Sequence, residues 1–307
     1  MKIAIMGSGG VGAYVGARLQ DVGAQVHYIA RGAHLQALQT QGLRIEMPGK
    51  DLHLPDVSAT DKPADVGVVD LIIFAVKLWD TEAAAQQMQP MVGPNTRILT
   101  LQNGIDSVDL IRAQYPQATV LGGVIYVSAV IDRPGVICSP GGLHRIVMDR
   151  KGGDTAAAAL SALAALSQGL HVVLSDDAET VIWEKFIVLS SISGATSLLR
   201  SRMGEILANS ETQAFLRSLL QETMAVGRAA GKRVRPELED ESVAKLHAMP
   251  PSFRSSMSED LERGKPLELR WLSGRVHALG LELGVPTPAH TAVYRGLVLH
   301  AGGRAEG

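Results

Sequence analysis

The residues that can carry chemistry in this 307-residue chain fall into two groups. The first is a run of glycines, Gly7-Ser8-Gly9-Gly10-Val11-Gly12, in which Gly7, Gly9 and Gly12 spell G-x-G-x-x-G. At a strand-to-helix turn this spacing lets the first glycine bend tightly, the second admit a pyrophosphate against the backbone, and the third bring helix onto strand. Phosphates then rest on unpaired N–H groups at the helix start. With 32 glycines in the chain the spacing alone says little; the apolar run Ile3-Ala4-Ile5-Met6 before it and Val11, Tyr14, Val15 and Leu19 after it give it weight. The second group lies on a helix expected from Ala178 to about Leu199. Lys185, Leu189 and Ser193 stand there at i, i+4 and i+8, with Thr196 close to the same stripe. Such a lysine either snorkels at the helix edge or is buried with a lowered pKa, and the buried form suits a proton donor near neutral pH.

Three further positions sit where strands should end. The second strand, Gln25 to Ala30, closes on Ala30-Arg31-Gly32, where an NAD-binding fold usually places a carboxylate for the ribose hydroxyls. Its absence removes repulsion against a 2′-phosphate, and Arg31 can bind that phosphate, so NADPH is preferred over NADH; a solvent-facing arginine is the plainer alternative. Lys77 follows the apolar strand Asp70 to Val76 and is either a cofactor contact or a solvated loop lysine. Asn103 follows the strand Arg97 to Leu101, inside Gln102-Asn103-Gly104, and is either a turn residue or an amide that meets nicotinamide and substrate.

These residues need a scaffold, and the pattern supplies one. Alternating strands and helices occupy the first part of the chain: a helix over Ala33 to Gln41, a hairpin over Gly42 to Val57 turning at Pro48-Gly49, and a helical run from Thr81. From Val120 short runs broken by glycine and proline read as antiparallel strands that finish the sheet, followed by a helix over Asp154 to Leu166 and a strand over His171 to Leu174. Beyond Asp177 only helical periodicity remains, broken near 232–236, 250–251 and 264–266. The fold class expected is therefore α/β: an N-terminal Rossmann-type doubly wound sheet over 1–176, binding NADP(H), followed by an all-α C-terminal domain over 177–307 for substrate and catalysis.

Composition narrows the partners. Apolar residues make up 46% and charged residues 20%, and the net charge of -2 gives no reason to expect nucleic acid or a membrane surface. The longest apolar run, Leu71 to Val76, is too short to span a bilayer, and no signal peptide is expected. A single cysteine, Cys138, fits a reducing compartment, with the cytoplasm as default. The nine histidines show no metal-ligand spacing, so no metal is expected; His144, His171 and His290 read as core-edge or surface residues. A homodimer through the helical domain is possible on sequence grounds.

With these residues in view, the chain resembles the ketopantoate reductases (2-dehydropantoate 2-reductases) along essentially its whole length. The likeness rests on the glycine run, Arg31, Val76-Lys77, Gln102-Asn103-Gly104, Trp183-Glu184-Lys185-Phe186, the segment Ser255-Ser256-Met257-Ser258-Glu259-Asp260 leading to Glu268, and Gly284-Val285-Pro286-Thr287-Pro288. The resemblance implies that Lys185 is the general acid and that Asn103 touches both cofactor and substrate. It also implies that Ser256 contacts the substrate carboxylate, that Glu268 stands beside the cofactor ribose and the lysine, and that Arg31 holds the 2′-phosphate. It implies a place in pantothenate biosynthesis. Leu189, Ser193 and Met203 stand where well-known members carry asparagines that bind substrate oxygens. Apolar atoms in place of amide donors disfavour a hydroxyl-rich substrate.

The activity expected is NADPH-dependent reduction of a small-molecule 2-oxo acid to a 2-hydroxy acid, ketopantoate or a less polar relative. An imine (C=N) reductase on the same scaffold and a non-catalytic NADPH-sensing regulator are the alternatives. A sensor needs no buried proton donor, so Lys185 speaks against the last.

Overall fold

The computed structural model describes residues 1–141, 143–150, 158–162 and 169–304. The chain divides into two compact units, Met1–Glu179 and Thr180–Gly307.

The first unit is built on an eight-stranded sheet in the order β12 (His171–Ser175), β11 (Arg145–Asp149), β8 (Thr119–Tyr126), β7 (Arg97–Thr100), β6 (Leu71–Phe74), β1 (Lys2–Met6), β2 (Gln25–Ile29) and β5 (Ser58–Thr60). Its centre is β1 (Lys2–Met6), with parallel partners β2 (Gln25–Ile29) and β6 (Leu71–Phe74) in the registers Ile3↔Val26 and Ile3↔Leu71. A buried parallel strand must be apolar on both faces. Accordingly Ile3 and Ile5 join one core with Tyr14, Tyr28 and Ile73, while Ala4 and Met6 join another with Ile72, Phe74 and Ile98. Helices cover both faces, among them α1 (Gly10–Asp21), α2 (Gly32–Gln41), α3 (Pro63–Val66), α4 (Thr81–Gln87) and α5 (Ser107–Gln114).

Three differences from the sequence reading have physical reasons. Strand β5 (Ser58–Thr60), parallel to β2 at the sheet edge, was not expected, because three small residues, Ser58-Ala59-Thr60, are too short and too weakly apolar a run to mark a strand. The strands after residue 119 are antiparallel only in part. β8 (Thr119–Tyr126) runs parallel to β7 (Arg97–Thr100), β11 (Arg145–Asp149) antiparallel to β8, and β12 (His171–Ser175) parallel to β11. Strand direction is set by the connection, and α5 supplies a helical crossover that side-chain alternation cannot reveal. The hairpin β3 (Leu43–Glu46) and β4 (Leu52–Leu54) forms as expected, with Gly49 at φ +84°, but it joins β9 (Val130–Arg133) and β10 (Val136–Cys138) in a second sheet ordered β4-β3-β10-β9. Of the helix expected over Asp154 to Leu166, residues 158–162 are helical and the rest lie outside the described residues.

The described residues of the second unit form helices joined by turns and loops, with no strand. Its long helix α6 (Ala178–Leu198) carries Lys185, Leu189 and Ser193. α7 (Met203–Ala208), α8 (Ser210–Ala229), α9 (Leu238–His247), α10 (Ser256–Glu262), α11 (Ser273–Leu283) and α12 (Pro288–Leu297) follow. Breaks fall where a helix is hardest to continue: Gly231 at φ +71°, Pro250-Pro251, and Gly264 at φ +66° before Pro266.

Candidate functional site

In the first unit the chemistry-bearing residues collect beyond the carboxyl ends of parallel strands. Gly7 leaves β1 at φ +96°, where a side chain is strained, and a Cβ there would fall 2.7 Å from the Val76 nitrogen. The Ser8 N–H donates to the Ile29 carbonyl at 3.0 Å, so the loop is pinned to the end of β2 and Ser8 is buried. Gly12 packs so closely on the turn that a Cβ would meet the Gly7 carbonyl oxygen at 2.2 Å, and one at Gly10 would meet the Ala129 carbonyl oxygen at 2.1 Å. Gly9 is different: a Cβ there meets nothing within 4 Å. Three glycines are demanded by the fold, while the fourth borders open space at the start of α1, where Gly10, Val11 and Gly12 present N–H groups without intrahelical partners. That cradle fits a pyrophosphate.

Arg31 is the N-cap residue of α2 and is exposed; its Nη2 donates to Gln87 Oε1 at 3.1 Å. Lys77 is the N-cap residue of a 3₁₀ turn (Leu78–Asp80), its ammonium 5.5 Å from the centre of the Trp79 ring. Asn103 follows β7 and is half-buried. Beside it stands a residue whose role sequence reasoning missed. Gln102 Nε2 donates both to the Val76 carbonyl and to Thr81 Oγ1, each at 2.9 Å, and so ties the turn bearing Asn103 to the turn bearing Lys77. Neighbouring strand ends were the available signal, but only the order β7-β6-β1 shows which turns meet.

In the second unit Lys185 keeps some accessible surface, yet protein atoms crowd its ammonium. Desolvation lowers its pKa from 10.5 to about 8, and the Glu268 carboxylate opposes that fall by attraction. Glu268 opens a 3₁₀ turn (Glu268–Trp271) and is 6% exposed. Leu189 is half-buried, Ser193 and Met203 are buried, and Ser256 is exposed at the start of α10. The turn carrying Ser256 is fixed to α6 by hydroxyls. Ser255 Oγ accepts from Ser258 N at 3.1 Å and lies 2.9 Å from Thr196 Oγ1, and Ser258 Oγ donates to the Thr196 carbonyl at 3.2 Å. One turn before Leu189, Glu184 accepts from Arg235 Nε at 2.7 Å, and the same guanidinium forms a fork to Glu241 at 3.0 and 2.9 Å. These groups hold α6 at two points along its length, Glu184 and Thr196.

His290 is not at the core edge as expected but fully buried. Its Nε2 donates to the Leu219 carbonyl at 3.0 Å and lies 2.8 Å from Thr223 Oγ1, while burial lowers its pKa to about 4 and keeps it neutral. Its Nε2 is matched by α8, whereas its Nδ1 is buried with no hydrogen-bond partner among the described residues. Among the described residues no group of histidine, cysteine and carboxylates could hold a metal, and no helix is long and apolar enough to cross a membrane.

Residues 3–152 match the family model for ketopantoate reductase PanE/ApbA, and residues 177–300 match the one for ketopantoate reductase PanE/ApbA, C terminal. A 2-dehydropantoate 2-reductase of Mesorhizobium japonicum is 30% identical, covering 95% of each chain. Among solved structures, a PanE/ApbA family ketopantoate reductase from Ralstonia eutropha JMP134 superposes with a TM-score of 0.90 at 32% identity, over 98% of each chain. A D-mandelate dehydrogenase solved with NADH and anilino(oxo)acetate shares the fold, with a TM-score of 0.89 at 24% identity over 98% of each chain.

Proposed function

Since the chain belongs to the ketopantoate reductase family, oxidoreductases acting on CH–OH groups, we propose that it reduces a 2-oxo acid to a 2-hydroxy acid with NADPH, using Lys185 as general acid. The observation that carries this reading is the pairing of a desolvated lysine, pKa about 8, with the buried Glu268 carboxylate. A lysine so tuned is largely protonated at pH 7 and gives up its proton far more readily than a free one.

Bound NADPH supplies the hydride. The chain's residues do the remaining work. The glycine run offers N–H groups to the pyrophosphate, Arg31 pairs with the 2′-phosphate, and Lys77 and Asn103 contact the cofactor. As the ketone carbon is reduced its oxygen gains negative charge, which the Lys185 ammonium stabilises and then neutralises by donating its proton. Glu268 holds that ammonium in its charged form. Ser256 contacts the substrate carboxylate, and Asn103 the substrate as well as the nicotinamide.

Leu189, Ser193 and Met203 decide the substrate. A half-buried leucine, a buried serine and a buried methionine offer one hydroxyl where three amides would bind oxygens. That favours a 2-oxo acid less polar than ketopantoate, since an unpaired substrate hydroxyl is penalised on burial. The test is steady-state NADPH oxidation by the purified protein over ketopantoate, smaller and bulkier apolar 2-oxo acids, and cyclic imines. The expected result is the highest kcat/KM on an apolar 2-oxo acid. Efficient turnover of ketopantoate contradicts the reading of the three substitutions, and turnover of imines alone contradicts the oxo-acid assignment.

A further inference from the structure

Strands β2 and β5 run parallel with Ile29 opposite Thr60, and the ladder extends one step further through the Ala30 N–H, which donates to the Thr60 carbonyl at 3.1 Å. Two residues beyond each member of that pair stand Arg31 and Lys62. The register therefore sets two cations side by side at the carboxyl edge of the sheet. Both line one cavity of about 540 Å³, whose wall also includes Gln87, Asp61, Pro63 and Pro90. Arg31 pairs there with the neutral amide of Gln87, so its charge is not cancelled. Lys62 is held at its backbone: its N–H donates to Thr60 Oγ1 at 3.0 Å, and that hydroxyl donates to Asp65 Oδ2 at 3.0 Å. Asp61 is the carboxylate on this wall, and two cations outnumber it.

We propose that Lys62 is a specificity-determining residue, a second cationic contact that joins Arg31 in clamping the ribose 2′-phosphate of NADPH. The proposal rests on the NADPH reading above and adds a residue to it. A phosphate monoester is close to doubly charged at neutral pH, so one guanidinium leaves charge uncompensated and a second cation completes the match. The exposed ring of Pro90 suits the flat purine attached to that ribose. Lys62 is exposed, so its removal leaves the fold intact.

Calorimetric titration of the wild type, Arg31→Ala, Lys62→Ala and Lys62→Arg with NADPH, NADH, adenosine 2′,5′-bisphosphate and AMP tests this. The expected result for Lys62→Ala is about tenfold weaker binding of NADPH and of the bisphosphate, with NADH and AMP unchanged within about twofold, and recovery in Lys62→Arg. If the wild type prefers NADPH and only Arg31→Ala erodes that preference, the Lys62 assignment is overturned while the NADPH reading stands. If Lys62→Ala weakens NADPH and NADH equally, the residue acts on the fold or the common nucleotide and the proposal fails. Equal binding of both dinucleotides by the wild type overturns the NADPH reading and the clamp together.

Discussion

Thr196 Oγ1 lies 2.9 Å from Ser255 Oγ, joining the helix that carries Lys185 to the turn that carries Ser256. The pair is fully buried, and Thr196 also bonds its own helix at the Ile192 carbonyl, 2.7 Å away. Thr196→Val keeps the shape and removes the bond. With Ser256 proposed to meet the substrate carboxylate, the variant is expected to raise KM for the 2-oxo acid about fivefold, with kcat within about twofold. Thr196→Ser, which restores the hydroxyl, is expected to behave as the wild type. An unchanged KM in a well-folded Thr196→Val protein removes the positioning role.

The glycine loop separates fold from cofactor. A Cβ at Gly12 meets the Gly7 carbonyl oxygen at 2.2 Å, whereas one at Gly9 meets nothing within 4 Å. Gly12→Ala is therefore expected to lower Tm by several degrees through overpacking. Gly9→Ala is expected to leave Tm within about 2 °C and to weaken NADPH binding at least about tenfold, because the methyl occupies the approach of the pyrophosphate. Thermal melts beside NADPH titrations check both. Undiminished binding in Gly9→Ala places the phosphates elsewhere.

His290 makes stability depend on pH. Its folded pKa, about 4, lies below its ordinary 6.5, so the unfolded chain binds the proton more readily. The stabilisation is complete above about pH 6.5 and is lost as pH falls from there through about 4, by up to about 1.4 kcal/mol per pH unit. The neighbouring Glu222 accepts the backbone N–H groups of Ala289 and His290 at 2.7 and 2.9 Å and has its pKa raised by burial, which acts in the opposite sense. Comparing the wild type with His290→Gln isolates the histidine, since Glu222 is common to both. Urea unfolding at pH 7.5 and 5.5 is expected to show a smaller loss in the variant; equal losses contradict the assignment.

Much of this was legible before any coordinates, for local reasons. A buried parallel strand is written in consecutive residues, so β1 and β6 announced themselves, as did the α/β-then-α organisation. Arg31 could be put forward because a missing carboxylate at a strand end is a local fact. Lys62 could not, because its place at the same sheet edge depends on β5, a strand of three small residues whose position beside β2 is set by long-range pairing. Gln102 and His290 share that history: a glutamine in a turn and a histidine near a proline acquire roles only when two distant carbonyls or a helix face come to meet them. Direction in the later strands depended on the α5 crossover rather than on any residue within them.

The central claim is that Lys185 delivers the proton. Reduction needs its ammonium, so kcat/KM in the direction of oxo-acid reduction is expected to be level below pH 7 and to fall as pH rises through about 8. Glu268→Gln removes the attraction that holds the proton and is expected to move that fall to lower pH. The most direct measurement is single-turnover NADPH oxidation by Lys185→Ala, on the 2-oxo acid best used by the wild type, beside an NADPH titration. The predicted result is a loss of about 10²- to 10⁴-fold in the rate of reduction with NADPH affinity within about twofold of wild type. A rate within a few fold of wild type at full cofactor occupancy would contradict the account.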